Sequence, residues 1–200
     1  FVLTTSLESR LWYLCEDIRS AYWPLASDSI KFSSSDTNKD IDLLFIGNNY
    51  GIRKKIIKYL EDRSINVTCF GQGWRNGFIS SDEIFEYSKR AKIILGIGTV
   101  GYSKSIFTLK LRDFDSLMSG ALYITHRNPD LLELFQEGIH LECYLNEKEL
   151  YQKLAYYLNN LDRATEIGKK GQAYAIKNYD WYEHLKKTFT RLGFLDSNLS

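Results

Sequence analysis

Short apolar runs alternate with amphipathic stretches along most of the chain. The runs Val2–Thr5, Ile41–Ile46, Asn66–Phe70, Ile93–Ile97, Ala121–Thr125 and Leu141–Leu145 are near-continuous in apolar residues. That pattern predicts parallel strands covered on both faces rather than strands with one wet face. Helical spacing fills the gaps. Arg53–Arg63 carries Ile56, Ile57 and Leu60 on one side, and Asp82–Arg90 follows the capping pair Ser80-Ser81 with Ile84, Tyr87 and Ala91 in register. Leu111, Phe114 and Met118 form a stripe ending at Gly120, expected to pack on the sheet while Arg112, Asp115, Ser116 and Ser119 share a polar face. Asn128-Pro129 opens a helix that Gly138 should stop, and Asn146 with Glu149 and Asp180 with Glu183 read as capping boxes.

From Ile41 the order is therefore βαβαβαβαβ followed by terminal helices. This predicts an α/β fold, a Rossmann-like open parallel sheet of about five strands with helices on both faces. Residues 1–30 fall outside that unit, 31–40 read as a polar, Ser-rich linker, 41–178 as the sheet domain, and 179–200 as a C-terminal helix and tail.

Composition narrows the function classes. With 26 basic and 25 acidic residues, the net charge of +1 leaves no bulk electrostatic footprint for nucleic acid. The longest apolar runs are about five or six residues, far short of the ~20 needed for a transmembrane segment. The three cysteines, Cys15, Cys69 and Cys143, are widely spaced, without CxxC, and fit reduced thiols of a cytoplasmic protein. No His, Cys, Asp or Glu set has metal-ligand spacing, so neither a metal nor a resident cofactor is expected. The chain opens at Phe1 and its one methionine is Met118, which suits a fragment better than a whole gene product.

In an open α/β sheet, ligands sit beyond the carboxyl ends of the strands. The first such end is Gly47-Asn48-Asn49-Tyr50-Gly51-Ile52-Arg53-Lys54, a glycine-bearing turn into a helix. Free N–H groups with Arg53 and Lys54 suit an anion; the plain alternative is a βα turn with solvated bases. The second end, Gly71-Gln72-Gly73-Trp74, lets backbone approach closely, and Trp74 is either a stacking platform or a packing residue. GxGxxG, GxxxxGK[ST] and GxSxG are absent. After the fourth sheet strand, Thr125-His126-Arg127-Asn128 collects polar groups at a helix start, where Thr125 and His126 are candidate ligand contacts and the plain alternative for His126 is a surface residue. On the segment 110–120, Lys110, Arg112 and Asp115 fit either a surface ion pair or a nucleotide clamp.

At these residues the chain resembles a known family. Lys110-Leu111-Arg112-Asp113-Phe114-Asp115, then Ser119-Gly120 through Thr125, is similar to the K-x-R-x-F-E … G … T signature of CgeB-like glycosyltransferases, which have the two-domain GT-B architecture. Pro129-Asp130-Leu131, Gly138, Tyr144, Tyr156-Tyr157-Leu158 and Tyr179-Asp180-Trp181 continue the likeness. The resemblance implies a C-terminal, donor-binding domain that takes a nucleotide-sugar, with Asp115 in place of the ribose-holding Glu and Phe107 where many retaining relatives carry an acid. It implies a missing N-terminal domain of the same protein holding an unknown acceptor and any catalytic base. It also implies that residues 1–200 alone bind donor without useful transfer. Two other classes stay open: a non-catalytic nucleotide or sugar binding module, and a structural spore or surface-layer protein on the same fold.

Overall fold

The computed structural model describes residues 1–32, 38–103 and 105–195; residues 33–37 of the expected linker and 196–200 of the expected tail lie outside the described residues. The chain begins with a small parallel unit: β1 (Val2–Thr4), α1 (Leu7–Cys15) and β2 (Ser20–Tyr22), with Val2 opposite Ser20 and Thr4 opposite Tyr22. Ser6 caps α1 by accepting from the Ser9 N–H. The apolar pattern predicted only the first of these strands.

Five further strands form a second, all-parallel sheet. In chain order the elements are β3 (Ile41–Ile46), α2 (Arg53–Glu61), β4 (Thr68–Phe70), α3 (Ser81–Arg90), β5 (Ala91–Leu95), α4 (Leu111–Met118), β6 (Leu122–His126), α5 (Pro129–Leu132) and β7 (Glu142–Tyr144). Then come α6 (Glu147–Asn159), α7 (Leu161–Tyr179) and α8 (Trp181–Arg191). The spatial order is β4-β3-β5-β6-β7. The chain leaves β3 toward β4 on one side and returns to β5 on the other, so the direction of winding reverses between β3 and β5.

Alternation along each strand supplies two apolar layers. Leu43, Phe45, Ile93, Leu95, Leu122, Ile124 and Tyr144 face Ile56, Ile57 and Leu60 of α2 and Leu150 and Leu154 of α6. Leu44, Ile94, Tyr123 and Cys143 face Phe114, Leu117 and Met118 of α4. Caps set the helix starts: Ser80 and Glu83 form a capping box, Asn128 accepts from the Asp130 N–H before Pro129, Asn146 accepts from the Glu149 N–H, and Asp180 accepts from Tyr182 and Glu183.

Three expectations need correction. Ala91 is not the last turn of α3 but the first residue of β5, with extended backbone (φ −79, ψ 139), so helix passes to strand without a loop. The helix from Pro129 stops after Leu132 instead of running toward Gly138. On α4 the expected division of faces fails. Leu111 is 48% exposed, while Asp113, Ser116 and Ser119 are buried. Leu111 is the first residue of the helix, and α7 covers the side expected to be wet, with Gln172 donating to the Met118 carbonyl at 2.7 Å.

Segment 23–29 runs beside the α7–α8 junction. Ser27 donates its N–H to Tyr179 O (2.9 Å) and accepts from Trp181 N–H (3.0 Å). Trp23 stacks on His184 at 5.1 Å and donates to Thr188, and His184 Nε2 lies 2.8 Å from Pro24 O.

Candidate functional site

The winding reversal leaves a crevice at the carboxyl ends of β3 and β5, where doubly wound sheets bind ligands. The turn after β3 enters it through Gly47, whose φ is +154. A Cβ there would stand 2.4 Å from Arg112 Nη1 and 3.3 Å from Arg53 Nη1, so only glycine lets both guanidinium groups lie against the strand tip. The neighbouring turn is equally close: a Cβ on Gly71 would meet the Gly47 carbonyl at 2.6 Å. Asn48 Oδ1 accepts from Gln72 N–H, and the Trp74 indole donates to Gly47 O at 2.7 Å while its ring packs edge-on against Phe45. In this structure Trp74 clamps the glycine turn.

Three cations converge on the crevice. Arg53 is buried, donates to Asn48 O at 2.7 Å and lies 4.2 Å from the Tyr50 ring centroid. Arg112 donates to Ile46 O, lies 5.3 Å from the Phe45 ring and leaves its buried Nε without a partner. Lys110 donates to Gly98 O at 2.7 Å. Among the described residues none of the three pairs with a carboxylate across an ion-pair distance. The nearest acid, Asp113, accepts from the Lys110 N–H and from the Tyr123 hydroxyl at 2.5 Å. Burial pulls the Lys110 ammonium down to about 8, with Arg112 and Arg53 adding repulsion against the attraction of Asp113. Burial, then Arg112, pulls Arg53 down as well. Three cations are thus crowded at the strand tips, with Asp113 attracting Lys110 and Arg112 from within the fold.

The remaining expected site residues make no hydrogen bond to these three cations. Lys54 is exposed on α2. Gly73 sits beside Asn49, whose amide donates to its carbonyl at 3.1 Å. Thr125 is buried under Gly96, close enough that a Cβ on that glycine would lie 2.4 Å from Thr125 Oγ1. His126 ends β6 in a buried position. Asp115 lies further along α4, where its carboxylate accepts from the Ser27 hydroxyl at 2.5 Å. Sequence reading missed Gly96, Gly98 and Ser27, and gave Tyr144, whose hydroxyl donates to Gly96 O at 2.9 Å, no place at the site. Their roles depend on long-range contacts that no local motif carries.

A cleft of about 540 Å3 opens beyond Phe107, between Ser6, Leu7 and Glu8 at the start of α1 and Asn128–Asp130. A larger cavity of about 630 Å3 lies between β2 and α8 and includes none of the expected site residues. Among the described residues no His, Cys, Asp or Glu group is arranged to hold a metal, and no helix is long and apolar enough to cross a membrane.

Comparison with known proteins gives a family and a fold. A family described as glycosyl transferase-like matches residues 53–189. Anabaena HepE, solved in complex with UDP and glucose, superposes with a TM-score of 0.76 at 12% identity, covering 98% of this chain and 63% of HepE. A glycosyltransferase from Rickettsia africae gives 0.75 at 14% identity, covering 98% of this chain and 64% of its own. Sucrose-phosphate synthase from Thermosynechococcus elongatus gives 0.71 at 13% identity, covering 96% and 58%. The chain thus spans less than two thirds of these structures. No curated protein sequence matches it.

Proposed function

The chain belongs to the glycosyl transferase-like family, and on that premise we propose that its strand tips bind the nucleoside diphosphate sugar that serves as donor in glycosyl transfer. The observation that carries this reading is the cluster of Arg53, Lys110 and Arg112 at the winding reversal, without a carboxylate partner. HepE, with the same fold, is solved with UDP-glucose at a TM-score of 0.77. We place the diphosphate on the three cations and the sugar toward β6.

Glycosyl transfer passes through an oxocarbenium-like state while negative charge grows on the leaving diphosphate. Fixed cations in a partly dehydrated crevice favour that growing charge without reorganising. The acceptor, in this reading, approaches through the cleft beyond Phe107. Residues 1–30 are then the end of a preceding domain, as in the CgeB-like pattern of Lys110, Arg112 and Phe114, and the chain works in the cytoplasm, in keeping with its three free cysteines.

Calorimetric titration with UDP and with uridine tests the donor site. UDP should bind and uridine only feebly, and Arg53→Ala should weaken UDP by about 1.5–3 kcal/mol, the worth of a hydrogen bond to a charged group. Absence of UDP binding by the wild type would refute the reading. Binding without transfer is the second reading, favoured by Phe107 in the crevice and by the Asp115–Ser27 bond. Release of glucose from UDP-glucose, or its transfer, by the longer protein separates the two.

A further inference from the structure

Gly98, in the loop after β5, holds two side chains next to each other. Its carbonyl accepts from Lys110 Nζ at 2.7 Å, and its N–H points at His126 Nδ1 at 3.2 Å. A backbone N–H can only donate, so Nδ1 must present its lone pair. The Tyr144 oxygen also lies 3.2 Å from Nδ1, but its proton is directed to Gly96 O at 2.9 Å. A neutral ring bound this way carries its proton on Nε2. The ring stays neutral because burial, then Lys110, lowers His126 to about 4, against the opposing pull of Glu147. Nε2 has no partner among the described residues, and it is not among the sealed, unpaired polar atoms. The ring sits at the carboxyl end of β6, one strand beyond the cation cluster and beside Phe107, whose ring centroid is 6.1 Å from the imidazole.

We infer that His126 is a fixed hydrogen-bond donor to a hydroxyl of the donor's sugar, presenting Nε2–H from the end of β6; this rests on the donor-site reading above. A ligand whose diphosphate lies on Arg53, Lys110 and Arg112 reaches β6 with its next group, which in a nucleotide-sugar is the hexose. Nδ1, the one nitrogen able to accept a proton, is occupied by Gly98. The imidazole consequently orients the sugar and takes no part as a base.

Two measurements on the full chain test the assignment. Long-range nitrogen–proton NMR of the imidazole should find Nε2 protonated and Nδ1 bare across the neutral range. An Nδ1–H tautomer would overturn the inference. Calorimetry with UDP and UDP-glucose then compares the wild type with His126→Leu and His126→Gln. Leucine should weaken UDP-glucose about three- to tenfold, the worth of one neutral hydrogen bond, and leave UDP nearly unchanged. Glutamine, with an amide N–H at the ε position, should restore most of that loss. Equal weakening of both ligands, or an unaltered UDP-glucose affinity in His126→Leu, would overturn the inference while leaving the donor site standing. A wild type that binds neither ligand removes both.

Discussion

Asp115 and Ser27, 88 residues apart in the chain, share a 2.5 Å hydrogen bond that joins α4 to the segment beside the α7–α8 junction. Burial raises the Asp115 carboxyl to about 6, with the Ser27 bond pulling the other way. The folded state therefore holds this proton more tightly than the unfolded chain does. The contribution of this carboxyl to stability should fall as pH rises from the ordinary carboxyl range through about 6. Asp115→Asn keeps an oxygen for Ser27 and removes the charge. It should flatten that fall and raise stability at pH 7 by about 1–2 kcal/mol. Thermal melts of both proteins from acid to neutral pH check this; parallel curves would show that the carboxyl titrates normally.

Gly47→Ala should damage both fold and binding. The left-handed backbone costs on the order of 1–3 kcal/mol for a residue with a side chain. The new methyl would also displace the Arg112 guanidinium, which lies 2.4 Å from its position. Urea unfolding and UDP titration should therefore both weaken. Loss of stability with UDP affinity intact would mean that Arg112 is not a ligand group.

Lys110 makes UDP binding depend on pH. Its ammonium is held down to about 8, chiefly by burial, so it loses charge as pH rises through that value. Affinity for UDP should fall several-fold between about pH 7 and 9, and Lys110→Arg, charged throughout, should flatten the slope. A wild-type slope of zero over that range would remove Lys110 from the anion site.

Removing the Tyr123 hydroxyl tests the support beneath the cations. Asp113 is buried, and Tyr123 is one of its two hydrogen-bond donors. Tyr123→Phe should destabilise by about 1–3 kcal/mol, the cost of a buried acceptor losing a partner. Chemical denaturation reads the change directly, and a difference below the error of the extrapolation would count against it.

The sheet was legible because its strands are buried on both faces and read as apolar runs, and its helix starts because Ser80, Asn128, Asn146 and Asp180 cap locally. The turn 47–53 and the basic start of α4 stood out for the same reason: glycine and positive charge sit together at strand ends. The surroundings of α4 were not legible. Periodicity assigns a polar face to Ser116 and Ser119, but α7, some fifty residues later, covers it. Trp74, Asp115 and His126 were visible as residue types, while their partners Gly47, Ser27 and Gly98 depend on contacts across the fold. Of the unit β1–α1–β2 only β1 was legible, from the apolar run at Val2; Ser20–Tyr22 of β2 offers no such run.

The pairing of Ser27 with Tyr179 and Trp181 has a mechanical consequence. A single extended segment joining two bodies acts as a swivel, free to turn about its own axis. Here two segments run alongside each other, bonded through backbone and locked by Trp23, His184 and Thr188. Such a ribbon bends across its thin direction and resists twist. The Ser27 hydroxyl ties the same ribbon to α4, the helix whose first turn holds Arg112, so that β1, α1 and β2 are fastened to the large sheet at more than one point.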